Sequence, residues 1–267
     1  MEIKIAVAYH KDSPRIESDV YMPLHVGKAC NPELDLHMQT DAEGDNISAE
    51  NYTYCELTGI YWLWKNVKAD VKGLVHYRRF FGADTPAGTR LKRGFHALLL
   101  HSHTPRVKCG PEMLRAQADK FADELPKLMS EYDVVVPQPC LCRPDVATEF
   151  NTIGKEYVDL LSRSVEYLYA DYAETLRSML KSHTMYYANM SVMKTEIFDD
   201  YCTFMFSILE NVKRRLISDK YLIDLGSEKM FSRKLGYLGE LLTNLYILYN
   251  QQNTGLKVKT KPVYMLQ

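Results

Sequence analysis

Apolar side chains recur along this chain at two periods, and the places where the period changes mark the elements. Ile3, Ile5 and Val7 alternate at a period of two and predict a first strand, Ile3 to Tyr9. The polar run His10, Lys11, Asp12, Ser13, Pro14 then ends that strand as a ligand-facing loop able to seat a nucleotide. Glu43 to Asn46 reads as a turn, and Asp45 or Ser48 suits the cap of a helix running to about Asn66. In that helix Tyr54, Leu57, Tyr61 and Trp64 fall at helical spacing as the buried stripe, beside a second row of Glu56, Ile60 and Leu63. A short apolar run, Gly73 to Val75, predicts the next strand.

From Gly82 to Gly110 the periodicity weakens to Gly, Pro, Thr and basic residues, broken only by Ala97 to Leu100, which predicts a flexible excursion over the site, a lid or acceptor loop. A helix follows from about Pro111 to Ser130, then a buried strand over Tyr132 to Pro137, then helices over roughly 152 to 181. His183 to Lys194 reads as a strand with a polar centre, capped by Thr195 and followed by a helix to about Arg215. The last long helix, near Ser227 to Tyr249, has a core stripe of Phe231, Leu235, Leu238, Leu242 and Leu245. Its other face repeats Arg233, Tyr237, Glu240 and Asn244 at i, i+4, i+7, i+11. A polar ladder often just faces water, but Gly236 and Gly239 argue for something close by, since glycine inside a helix costs on the order of 1 kcal/mol. The tail Lys257, Lys259, Lys261 reads as an exposed basic edge strand, an edge available to anionic lipid headgroups. Alternating strands and helices predict an α/β sandwich in one domain, 1 to 267, with a nucleotide-binding half to about 137 and a helical acceptor half beyond it.

Composition narrows the partners. The chain has 267 residues, 46% hydrophobic and 25% charged, with a formal net charge of -1. That balance gives no field for wrapping nucleic acid, so any anion site must be local and its ligand small. Six cysteines lie scattered without zinc spacing or disulfide density, and read as reduced, buried thiols. No signal peptide and no membrane-length apolar run is evident, which predicts a cytoplasmic protein.

The chemistry concentrates where the second strand ends. His76, Tyr77, Arg78, Arg79, Phe80, Phe81 is no ordinary core sequence, because two adjacent guanidiniums offer permanently charged forks for phosphate or carboxylate oxygens. Glu56, a carboxylate among apolar neighbours, needs a counter-charge or donors, and either pairs structurally with an arginine or orients Arg78 or Arg79. Asn189 reads as a turn or core amide, or as a reader of a sugar hydroxyl. His183 alone is more often structural than catalytic. There is no G-x-G-x-x-G, Walker lysine loop, G-x-S-x-G or H-E-x-x-H, and no Asp-x-Asp at the expected strand end.

Asp45 to Ser48, Tyr54 to Thr58, Tyr61 to Asn66 and His76 to Phe80 together resemble the signature of a bacterial family of capsular and exopolysaccharide glycosyltransferases, long catalogued as a domain of unknown function. Asn189, Met190, Met193, Lys194, Phe198, Tyr201, Arg233, Gly236 and Glu240 resemble its later blocks, so the likeness covers nearly the whole chain, with a departure over 138 to 155, shorter and less basic. The resemblance implies a GT-A-like sandwich, a mixed, mostly parallel sheet flanked by helices. It implies transfer of a hexose, galactofuranose first, from a UDP-sugar to a growing, lipid-linked capsular, exopolysaccharide or O-antigen glycan at the inner face of the cytoplasmic membrane. With Asp-x-Asp missing, charge on the departing diphosphate falls to Arg78 and Arg79, helped by His76 and Arg233, and no divalent metal is expected. As strand residues, His76 and Arg78 would share one face and Arg79 the other. Glu240 is the candidate base, with Asp145 and Glu149 as rivals, and His10, Tyr77, Glu56, Asn189, His183 and Arg233 are the candidate donor-binding residues. A non-catalytic carbohydrate or polyanion-binding module is the other class these residues fit.

Overall fold

The computed structural model describes residues 1–84, 106–218 and 233–267. The excursion expected after Gly82 therefore lies mostly outside the described residues, as does the start of the last helix, including Phe231. The strands are β1 (Ile3–Tyr9), β2 (Tyr21–His25), β3 (Gln39–Thr40), β4 (Val71–His76), β5 (Arg79–Phe81), β6 (Arg106–Cys109), β7 (Val134–Pro137), β8 (Cys140–Leu141), β9 (Thr184–Met185), β10 (Ser191–Lys194), β11 (Val258–Lys261) and β12 (Val263–Leu266). Between them run α1 (Asn51–Tyr54), α2 (Leu57–Asn66), α3 (Pro111–Glu131), α4 (Val146–Asn151), α5 (Lys155–Leu168), α6 (Ala173–Leu180), α7 (Thr195–Ser218) and α8 (Lys234–Asn253).

The main sheet is ordered β11-β7-β10-β4-β1-β2-β3. β1 pairs in parallel with β2 and β4, and β11 with β7, while β10 runs antiparallel to both of its neighbours. β12 ties on β5 and β6. The strands of the later half thus enter the sheet begun by the earlier half. Because strand side chains alternate, each strand feeds two cores. Ala6, Leu74, Val134 and Met193 face α2, α5, α7 and α8, whereas Ile5, Val75, Val135 and Val192 face α3. α3 docks through Leu114, Ala118, Phe121 and Leu125, spaced by four, three and four residues, and each large side chain so buried contributes roughly 1.5–3 kcal/mol.

Five expectations change. The helix to Asn66 is broken at Cys55, whose φ of 52° ends α1. Asn51 holds the break, its Nδ2 donating to the Cys55 carbonyl (2.7 Å) and to Thr58 Oγ1 (2.9 Å). Neither Asp45 nor Ser48 caps: the Ser48 hydroxyl donates to Asp41, a fully buried carboxylate that also accepts from Gly27 N (2.8 Å) and Thr58 Oγ1 (2.6 Å). In α2 the fully buried row is Leu57, Ile60 and Leu63, while Tyr61 and Trp64 are half-buried against Phe206 of α7.

The segment from His183 to Lys194 is not one strand, because Ala188 (φ 76°) and Asn189 (φ 49°) turn left-handed between β9 and β10. The tail strand does lie at the sheet edge, but Lys261 is buried on Glu124 (2.6 Å) and Asp84 (3.3 Å), and Lys259 also reaches Asp84 (3.7 Å). Of that trio only Lys257 is exposed. All six cysteines are free, Cys140, Cys142 and Cys202 buried and the others half-buried. Among the described residues no helix is long and apolar enough to cross a membrane.

Candidate active site

A cavity of about 960 Å³ opens outside the carboxyl ends of β1, β2 and β4, the edge where open α/β sheets hold ligands. Ala8, next to last in β1, stands at its wall, and the polar loop beyond the strand contributes His10 and Lys11. β4 delivers His76. Since β10 runs the other way, the turn before it, with Tyr187 and Ala188, reaches the same edge. The break at Cys55 aims Glu56 into the cavity, and α8 adds Tyr237 and Glu240, with Arg233 just before its first turn. Gly236 and Gly239 let α8 approach: a Cβ on Gly239 would stand 2.6 Å from Leu57 Cδ1, and one on Gly236 3.1 Å from Cys55 Cβ. Of the polar ladder, Glu240 and Asn244 are buried, Tyr237 is half-buried and Arg233 is exposed, and the first three in sequence, Arg233, Tyr237 and Glu240, line the cavity.

The arginine pair is arranged differently from a strand. β4 stops at His76, which pairs directly with Arg79 of β5, so those two share a face and Arg78 takes the exposed tip, its guanidinium 5.7 Å over the Tyr77 ring. All four of His76, Tyr77, Arg78 and Arg79 line the cavity. Neither arginine has a carboxylate within ion-pair distance among the described residues. Burial lowers the pKa of Arg79, and the like charges of Arg106 and Arg78 lower it further, while Glu56 and Glu240 act against this.

His76 is not a cation here. Its Nε2 lies 2.6 Å from the Ala188 carbonyl, which can only accept, so Nε2 carries the proton. Burial depresses its pKa below 6.5 despite the nearby Glu56, leaving a neutral ring that anchors the turn before β10. His10 sits edge-on to Tyr77 at 5.2 Å, and burial followed by the charges of Lys11, Arg78 and Arg233 lowers its pKa as well.

Among the described residues Glu56 makes no arginine pair. Its Oε1 accepts from Asn189 Nδ2 at 3.0 Å, and the same amide nitrogen donates to the Gly236 carbonyl at 3.0 Å. Asn189 is 2% exposed, stands behind the lining and positions Glu56, which corrects its reading as a sugar-hydroxyl contact. Glu240 is 9% exposed. Burial, then the charge of Glu56, pushes its pKa up to about 8, with the Ala188 amide, Arg79 and Arg106 partly offsetting this. Asn244, one turn on, holds Tyr186 at both its N–H (2.7 Å) and its carbonyl (2.8 Å). Arg233 donates its backbone N–H to Tyr52 O (2.7 Å) and sets its guanidinium 5.5 Å over Tyr237.

His183 lies apart from this group. It precedes β9 in the separate β8–β9 ribbon, is exposed, and bonds the Pro144 carbonyl. Of the rival bases, Glu149 lines the cavity, whereas Asp145 is spent capping α4 through Thr148 N (2.8 Å). Lys11, Arg106, Lys234 and Tyr187 line the site without having been singled out by the sequence; Lys11 carried the faint signal of a polar loop after a strand. The wall thus presents six permanent cations, Lys11, Arg78, Arg79, Arg106, Arg233 and Lys234, against the carboxylates Glu56, Glu149 and Glu240. The balance of charge on this wall favours an anionic ligand. Among the described residues, no three His, Cys, Asp or Glu side chains gather to hold a metal ion.

The chain belongs to the family described as domain of unknown function DUF4422, whose model matches residues 4–252. It is similar to a solved structure described as the apo form of WbbM, a bifunctional glycosyltransferase, with a TM-score of 0.81 and 26% identity. That match covers 100% of this chain and 46% of the other, so the chain spans about half the length of that protein. The architecture is a GT-A-like α/β fold, a mixed and mostly parallel sheet flanked by helices. No curated protein matches the chain.

Proposed function

We propose that this chain is a hexosyltransferase that moves a sugar, galactofuranose first, from a UDP-sugar to a lipid-linked capsular, exopolysaccharide or O-antigen glycan. The observation that carries it is the set of guanidiniums that, among the described residues, have no carboxylate partner, in a cavity at the strand carboxyl ends. The likeness to a bifunctional glycosyltransferase supports it. As the bond from the anomeric carbon to the diphosphate oxygen breaks, negative charge grows on the leaving group. Arg78, Arg79 and Arg233 meet that charge in place of a divalent ion. The acceptor oxygen bonds the anomeric carbon and gives its proton to Glu240. A carboxylate with a pKa of about 8 is a stronger base, once ionised, than an ordinary one.

A thermal-shift and turnover screen of UDP-sugars, with and without EDTA, tests this reading. UDP-galactofuranose should raise the melting point and be turned over in EDTA, because a ligand bound only by the folded state stabilises it. Glu240→Gln should bind donor but not transfer. Binding without turnover of any donor would instead favour the carbohydrate-binding module.

A further inference from the structure

Arg106 has no periodic context in the sequence, yet the sheet pairs it functionally with Arg79. β12 is flanked by β5 on one side and β6 on the other, with Arg79 opposite Met265 and Arg106 opposite Val263. Residues two apart on a strand point to one face, and directly paired residues share it. Both arginines therefore project from the same face of this ribbon, two strand spacings apart and staggered by two residues, which puts roughly 12 Å between their backbones. Both line the main cavity, and both also line an adjoining cavity of about 20 Å³, with Val263 between them.

Among the described residues neither has a carboxylate within ion-pair distance. Arg79 Nε is buried without an acceptor. A buried donor left unsatisfied beside a like charge is costly unless an anion fills the gap. Arg78 differs, being exposed at the hairpin tip, where water screens its charge.

We infer that Arg79 and Arg106 form a guanidinium clamp for a pyrophosphate group, with Arg78 as an outer contact at the cavity mouth. The inference rests on the proposed function in that the group would be the donor's diphosphate. Two forks straddling β12 can each take two phosphoryl oxygens, a geometry a lysine ammonium does not reproduce.

Calorimetry on the full chain with inorganic pyrophosphate, UDP and uridine tests it. Arg106→Gln should weaken pyrophosphate and UDP by about 10- to 100-fold while uridine changes less than about twofold. Arg106→Lys should recover only part of the loss, and Arg78→Gln should lose less than Arg106→Gln. The unliganded Arg106→Gln protein should melt no lower than wild type, since a like charge is removed. Wild type that ignores pyrophosphate, an Arg106→Gln protein that binds it normally, or an equal loss in Arg78→Gln would each overturn the clamp. Pyrophosphate binding that depends on Arg106, without turnover of any UDP-sugar, would keep the clamp and remove the transferase reading. Turnover with affinity independent of Arg106 would do the reverse.

Discussion

Glu56 and Glu240 face one cavity in unlike surroundings, and the difference is measurable. Glu240, with its carboxyl pushed up to about 8 by burial and by Glu56, binds a proton more tightly folded than unfolded, where its value is near 4.5. Its stabilising contribution is complete below about pH 4.5 and is lost as the pH climbs through 8. Urea unfolding should find the wild type weaker at about pH 9 than at about pH 5.5, and Glu240→Gln free of that loss, the difference reaching at most about 3 kcal/mol. With Glu240 as base, kcat/KM should rise with an apparent pKa near 8, a limb missing from the Gln variant, whose kcat falls by about 100-fold or more. Asn189→Ala strips Glu56 and the Gly236 carbonyl of their donor, and chemical denaturation should show a loss of about 1–3 kcal/mol, with kcat falling more than KM rises. Glu56, Glu240 and the arginine pair were legible in the sequence because charge set among apolar rows conflicts with burial unless a site resolves it. Asp41 and Arg106 were not, since an acid in a turn and an arginine in an unpatterned stretch ordinarily face water.

α8 shows how an element can serve both core and site. Its glycines were the legible sign, and the structure supplies the cause in Leu57, Cys55 and the Asn189 side chain, which crowd the positions a Cβ would fill. Gly239→Ala should gain up to about 1 kcal/mol of helix propensity. The contact at 2.6 Å with the fully buried Leu57 should cost about 1–3 kcal/mol, so thermal melting should fall on balance. β1 followed from its period of two, β7 from an apolar run ended by Pro137, and α3 lies where a helix from about Pro111 to Ser130 was expected. The split of the segment after His183 did not, because Tyr186 to Met190 is as apolar as a strand, and its turn is imposed by Asn244 and His76, which are distant in sequence. The break at Cys55 was hidden for the same reason: side-chain bonds from Asn51 override a continuous helical stripe.

The sandwich could be read from alternating elements, but strand direction could not, and direction builds the site. Only the reversal of β10 brings the turn at Ala188 beside His76 and Glu240, and only the path of β12 sets Arg79 and Arg106 on one face. The expectation of a fully exposed basic tail failed for a comparable reason, since Glu124 of α3 and Asp84 after β5 fold onto Lys261. A near-neutral chain can therefore gather six basic side chains around one cavity. The central claim is that this cavity neutralises a nucleoside diphosphate, and calorimetric titration of UDP and uridine into wild type and Arg79→Ala addresses it most directly. UDP should bind the wild type at least about 10-fold more tightly than uridine, and Arg79→Ala should remove most of that margin. Equal affinity for the two ligands, or a UDP affinity untouched by Arg79→Ala, would contradict it.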